Sequence, residues 1–589
     1  MPTAFAKNLI VDLHGGPYRS VQAALNVAGP GDTVHVKPGV YQERIEFKNG
    51  GTSGNPVILE GEPGAIIDGS DPVTLNWQAA TDVGAGVYRA SVDFMPWTIS
   101  VDGKLITTLD ERKVSPDSKL PVHNNWVPQT WPDIFVNGVG PSKWDGVVGV
   151  AMYQSREKSL LVRLKNGVDP RQCAITVARK RPCINVRGRD FCTIRSITTR
   201  YASYGISIQN SYGSVIEGCR IGSVDFGIDL NENADHCVVR YNDISYDPYC
   251  GADCKRNGEW DAWQACKTDG FSDRIGIKLY CTKGGHDIHD NYVHDEWDGI
   301  DTSDISYEGR PHHVGNAQTN QNVLIHHNYL NNIFDDAIET AGPLANGQYY
   351  QNIFRNSRCG FRIKGPTLGP IFSYKNIFID NIEDYRNFGE RSQFSPSDPA
   401  ESQAEVWVYQ NTSTSRCAIN MNYSKGDNSI ITAPNYHYYN NLFWCQTWVG
   451  RARSFPLPDW HGDYNVYVKA GRAAHYPWPV DKLIYTMSND LSQSSLDKQW
   501  AAGIELARAA GLDRNSTWID DASPGFVNPA AGNFALREES VARSKGFDLS
   551  QMRTRSGNAL PGCERRYFRG DRPDVGALQY GEPMLKIPR

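Results

Sequence analysis

The chain has 589 residues, a net charge of −6, 40% hydrophobic residues and 11% aromatic ones. With a pI near 6.2 it lacks the basic footprint of nucleic-acid binders, and no window supplies the ~20 apolar residues of a membrane span. A chain this long usually divides into several ordinary domains, but a repeat fold escapes that limit because each repeat buries its core against its neighbours.

In chain order, Met1–Leu9 shows no signal peptide, as expected of a chain that starts after a cleaved one. Tyr18–Ala28 (YRSVQAALNVA) predicts a short amphipathic helix. Gly-Asp-Thr-Val-His-Val and Gly-Val-Tyr follow it. Helix then strands fits a cap over the open end of a solenoid. Residues 1–74 are therefore read as a cap with the first coils. Residues 75–178 break the rhythm with alternating strands and many turns, and are read as an inserted small β-domain. Residues 179–466 carry the main coil. Residues 467–589 are read as a C-terminal extension, with a helix at Leu496–Gly511 and a return to the last coil turns at Asn533–Tyr580.

The repeat is carried by an asparagine with a large apolar residue two positions later: Asn242, Asn291, Asn328, Asn352, Asn376 and Asn441. Asn328, Asn352 and Asn376 are each 24 residues apart. Asparagine tolerates the left-handed conformation of a sharp corner, and its amide can bond the next corner in a stack. Short runs of Val, Ile, Tyr and Phe flank it, as in strands. A period in the mid-twenties predicts an all-β chain: a right-handed parallel β-helix with three sheets.

A second register marks one strand per coil: Gly-Ile-Ser207-Ile, Gly-Ile-Asp229-Leu, Gly-Ile-Lys278-Leu, Gly-Ile-Asp301-Thr, Ala-Ile-Glu339-Thr, Gly-Phe-Arg362-Ile and Ala-Ile-Asn420-Met. The apolar neighbours point inward and the variable residue outward. Asn420 follows an insertion, so its place in this column is open. Long loops at 245–273, 303–321 and 386–403 adjoin the column. Two of them carry Trp260, Trp263, Tyr307, Arg310, His312 and His313, and with Trp297 these aromatic faces and planar donors suit sugar rings.

Of the 13 cysteines, Cys250, Cys254 and Cys266 share the first of these loops. No histidine lies between them, and their spacing fits no common zinc pattern. A disulfide-pinned loop is expected, which places the protein in a secreted or periplasmic compartment. Asn-x-Ser/Thr triplets begin at Asn411, Asn422 and Asn515.

Asp301 and Glu339 hold equivalent positions in successive coils. Neighbouring strands are ~4.8 Å apart, close to the ~5–5.5 Å that separates the two carboxyls of a retaining glycosidase. Lys278 and Arg362 are expected beside them, and with Lys364 they can orient a substrate or bind an acidic sugar through charge-assisted bonds. Asp298, Asp335 and Asp336 form a second carboxylate set at the corner before the strand, where Asp also caps turns.

The coil pattern, the Gly-Asp-Thr-Val-His-Val…Gly-Val-Tyr opening and the Arg572-Pro-Asp-Val-Gly-Ala-Leu ending resemble the pectate-lyase-like superfamily of secreted right-handed β-helices. Asp298-Gly-Ile-Asp, Asp335-Asp336 and Arg362-Ile-Lys364 resemble the motifs of family 28 polygalacturonases. That resemblance implies acid and base roles for Asp298, Asp335 and Asp336, and uronate binding by Arg362 and Lys364. Glu296 departs from it, standing where that family has Asn. The inserted β-domain and Asp335-Asp-Ala-Ile-Glu339-Thr-Ala-Gly-Pro are similar to β-helical glycosidases of the β-xylosidase kind, which implies Glu339 as acid/base.

The reading is a glycoside hydrolase of a poly- or oligosaccharide, with Glu339 as acid/base, Asp301 as nucleophile, and Asp298, Asp335 and Asp336 in reserve. It needs no cofactor. One rival is a polysaccharide lyase or uronate epimerase with Lys278 or Arg362 as base and calcium held by carboxylates. Another is a glycan-binding solenoid without catalysis.

Overall fold

The computed structural model describes residues 6–109, 148–245, 274–302, 320–341, 344–364, 369–381, 383–388, 405–415, 417–422, 435–444, 448–452, 460–469, 504–505, 507–509, 511–520 and 523–587. Trp260, Trp263, Tyr307, Arg310, His312, His313, Cys250, Cys254 and Cys266 lie outside the described residues. So does most of Leu496–Gly511, of which 504–505 and 507–509 are helical. The chain forms two compact units, residues 1–279 with 293–300 and residues 280–292 with 301–589.

In the first unit, parallel strands stack in three sheets. One runs through Asn8–Val11, Thr33–Val36, Val57–Gly61, Cys192–Arg195, Val215–Glu217 and Val238–Arg240. The second runs from Gly39–Tyr41 through Ala65–Asp68 and Thr198–Arg200 to Arg220–Gly222 and Asp243–Ser245. The third links Ile45–Glu46, Pro182–Arg187, Ala202–Gln209 and Val224–Asn231. The cap helix is shorter than expected, Val21–Leu25, and buries Val21, Ala24 and Leu25. Ser20 caps it, and the Glu43 carboxylate accepts from the Val21 and Gln22 amides, which satisfies donors a helix start leaves open. Strands between Gln78 and Ala178 form separate, mostly antiparallel sheets around Trp77, Ile99, Leu160 and Val162.

The second unit repeats the three-sheet coil. Its sheets pass through Leu324–His326 and Gly347–Tyr350, through Tyr329–Ile333 and Ile353–Arg355, and through Asp336–Ala341 and Cys359–Lys364, all parallel. Inside, Phe354 stacks on Phe378 at 4.6 Å.

An asparagine column closes one corner of these coils. Each backbone N–H of Asn328, Asn352, Asn376, Asn411 and Asn441 donates to the Oδ1 of the next asparagine, at 2.9–3.0 Å. The column includes Asn411 and Asn465, which the spacing had not singled out. The left-handed residue is not the asparagine but the one before it: His327, Gln351, Lys375, Gln410, Asn440 and Tyr464 all have φ between 52° and 56°. The asparagine amide supplies the stack, and its predecessor makes the bend.

The C-terminal extension corrects an expectation. The last coil strand is Thr517–Ile519, and Asn533–Tyr580 does not rejoin the solenoid. Phe526–Asn528 and Asn533–Leu536 pair antiparallel. Phe526, Phe534, Leu536 and Val575 pack on Ile353, Ile377, Leu442 and Val466. Leu549, Leu560 and Cys563 pack on Phe372, Tyr374, Trp407 and Tyr409. Those coil strands are apolar on their outer side too, and the extension removes that surface from water.

Candidate active site

The outward column of the third sheet can be followed by register. In the second unit Glu339 pairs with Arg362, Arg362 with Arg386, and Arg386 with Asn420. Asn420 therefore belongs to the column. The Thr302 N–H donates to the Glu339 carbonyl at 2.9 Å. In a parallel ladder that bond pairs the residue before the donor, Asp301, with Glu339. The Thr302 hydroxyl reinforces the join, 3.2 Å from the same carbonyl and 3.1 Å from the Tyr349 hydroxyl. Asp301 and Glu339 stand outward on neighbouring strands, yet both are buried, at 7% and 5% exposed. The solvated ladder that alternation alone suggests is not what forms.

The corner before this strand brings in the second carboxylate set. Asp336 Oδ2 accepts from Arg362 Nη1 at 2.7 Å, and the same nitrogen lies 3.9 Å from Glu339 Oε2. Asp336 and Glu339 each turn a carboxylate oxygen to within 4.8 Å of the other. Asp335 is bound by Arg358 Nη1. Burial works against the charge of the Arg362 guanidinium, but Asp336, Glu339 and Asp335 together override it and hold the group well above its ordinary value. The positive charge between Asp336 and Glu339 is thus supplied by the chain itself.

The sequence sets Asp301 with Glu339 as the reacting pair and holds Asp298, Asp335 and Asp336 in reserve; in the structure Arg362 links Asp336 to Glu339, and Arg358 holds Asp335. Arg358 was missed. Its signal was available: it precedes Arg362 by the offset at which Asp335 precedes Glu339. Lys364 ends its strand in register with Ala341 and Phe388.

Asp298 belongs to the first unit. It is buried, and its N–H donates to the Arg274 carbonyl at 2.9 Å. Trp297 is 0% exposed, so it is corrected from sugar platform to core: an indole buried on all sides offers no face to a ligand. Lys278 holds its amine 5.1 Å from the Phe226 ring centre, and Phe226 stacks on Tyr204 at 5.0 Å. Its charge also acts on Asp229, whose carboxyl burial pushes up while Lys278 pulls it down. Ser207 donates to Asp229 at 3.2 Å, and Arg274 pairs with Asp225 at 3.2 Å with both side chains buried.

The three-sheet coil places the chain in the class of right-handed parallel β-helices. No family model and no curated protein matches it. Among solved structures it is similar to the complex of XylC with xylose, at 13% identity over 97% of this chain and 98% of that one, with a TM-score of 0.50. Pectate lyase Pel9A follows at 13% identity, 98% of each chain and a TM-score of 0.38. The A-module of Azotobacter vinelandii mannuronan C-5 epimerase AlgE4 follows at 11% identity, 77% and 99% coverage and a TM-score of 0.30. The XylC likeness is one of fold. Among the described residues no helix is long and apolar enough to cross a membrane. Cys183, Cys192, Cys219 and Cys563 are free thiols, each pushed up to about 12, chiefly by burial.

Proposed function

We propose that the protein is a carbohydrate-active enzyme, a glycoside hydrolase in which Asp301 and Glu339 are the reacting pair. The observation that carries this is their pairing on adjacent strands through the 2.9 Å Thr302–Glu339 backbone bond. Strand spacing sets ~4.8 Å between them, near the retaining separation of ~5–5.5 Å. Glu339 gives its proton to the glycosidic oxygen as the bond from that oxygen to the anomeric carbon breaks, and the Asp301 carboxylate bonds to that carbon. Glu339 then takes a proton from water, whose oxygen displaces Asp301 and frees the sugar.

Both described guanidinium groups at the site already hold carboxylates of the chain. That favours a neutral sugar over a uronate, which would compete with Asp335 and Asp336 for them. XylC, similar in fold at a TM-score of 0.50, is described with the neutral sugar xylose. A secreted or periplasmic location suits an enzyme acting on a polysaccharide.

The test is product analysis on neutral and acidic polysaccharides with wild type and Glu339→Gln. New reducing ends without ultraviolet absorbance, lost in the variant, are expected. An ultraviolet-absorbing unsaturated product, sensitive to chelator, would replace the hydrolase with the lyase.

A further inference from the structure

We infer that Asp336 is a positioning residue that acts on the reaction at Glu339 through Arg362. The inference rests on the hydrolase reading above. Asp336 is 0% exposed, deeper than either Asp301 or Glu339, so its carboxylate presents no surface to a sugar. One of its oxygens is committed to Arg362 Nη1 at 2.7 Å. That nitrogen then stands 3.9 Å from Glu339 Oε2. A lone arginine on a strand samples many rotamers, and its fork is useful only when something orients it. Asp336 supplies that orientation from the start of Glu339's own strand, so any motion of the strand carries anchor and reacting group together. The polygalacturonase resemblance would instead give Asp336 acid or base work on the substrate. Burial argues against it, because an acid or base must come within hydrogen-bond reach of the proton it moves.

A double-mutant cycle separates the two roles. The variants are Asp336→Asn, Arg362→Gln and the two combined, assayed on the polysaccharide the wild type cleaves, with thermal melts to check folding. If Asp336 works through Arg362, each single variant lowers kcat by about 10²-fold, with KM little changed. The double variant then falls by about 10²-fold as well, because the second change has nothing left to disturb. A double variant that falls by about 10⁴-fold, the product of the singles, would overturn the inference and return Asp336 to the substrate. Asp336→Asn strands a buried guanidinium and can fail to fold. The double variant against Arg362→Gln alone still decides: equal kcat supports the inference, and a further hundredfold loss overturns it. Glu339→Gln run alongside keeps the two readings apart. If it abolishes cleavage while the cycle is multiplicative, the hydrolase stands and the positioning role falls. If the wild type cleaves no glycan, the hydrolase fails and the positioning role fails with it.

Discussion

Two columns of the second unit are built on the same principle and behave in opposite ways. At one corner asparagines stack coil upon coil, from Asn328 to Asn465. On the outer face two carboxylates, Asp301 and Glu339, stand on neighbouring strands instead, with Asp336 at the corner before Glu339. An asparagine side chain both donates and accepts, so each one completes its neighbour: Asn352 Nδ2 donates to Asn376 Oδ1 at 3.1 Å and to the Ile325 carbonyl at 2.9 Å. An ionised carboxylate only accepts, so a stack of them repels and must be offset by cations from elsewhere. Arg358 and Arg362 provide that offset for Asp335 and Asp336. A column that completes itself is structural, and one that cannot remains available to a substrate.

The sharpest way to break this contrast is at Glu339. Glu339→Gln is expected to lower kcat by roughly 10³-fold or more while the melting temperature stays level or rises, since one like charge is removed. A stability loss with normal turnover would make the acidic column structural.

A carboxylate inside the coil tests the same rule. Asp384 is fully buried, with Ser413 and Asn381 donating to it. Burial raises its pKa from 3.8 to about 7, against the pull of Ser413, Ser415 and Asn381. The folded state then keeps a proton that the unfolded chain releases near 3.8. Unfolding free energy should fall by roughly 1 kcal/mol per pH unit between those values and level off above about 7. Asp384→Asn should flatten that slope. Parallel denaturation curves for wild type and variant from pH 5 to pH 8 would sink the expectation.

Within the asparagine column, Asn376→Ala removes an acceptor and a donor together, stranding the Asn352 N–H donor and the Tyr349 carbonyl acceptor. About 2–3 kcal/mol of stability should be lost, read as a shifted urea midpoint. A variant as stable as wild type would show that the column is decoration. The smallest effect is expected at the Asn411 triplet. Asn411 is buried in the column, with its Nδ2 on the Ser373 carbonyl at 2.9 Å. Expression in a glycosylating host should leave it unmodified, whereas the exposed Asn515 is open to the transferase. A glycan mapped to Asn411 would mean that this coil forms late or incompletely.

By itself the sequence determined the coil, because a residue that recurs every 24 positions and a strand pattern of period two report backbone geometry directly. It also determined that Asp301 and Glu339 share one column, since equivalent positions in a parallel stack must pair. It pointed to the asparagines but assigned them the bend, which belongs to their predecessors; backbone φ leaves no mark on residues as varied as His327, Gln351 and Lys375. The extension at Asn533–Tyr580 was misplaced because its partners, such as Leu442 and Trp407, lie far away along the chain. Only the tertiary structure decided that Trp297 is core, that Arg358 and Arg362 hold Asp335 and Asp336, and that the outward carboxylates are buried. Register says which residues are neighbours. Rotamer choice and the depth of burial depend on everything packed around them, and no local pattern carries that.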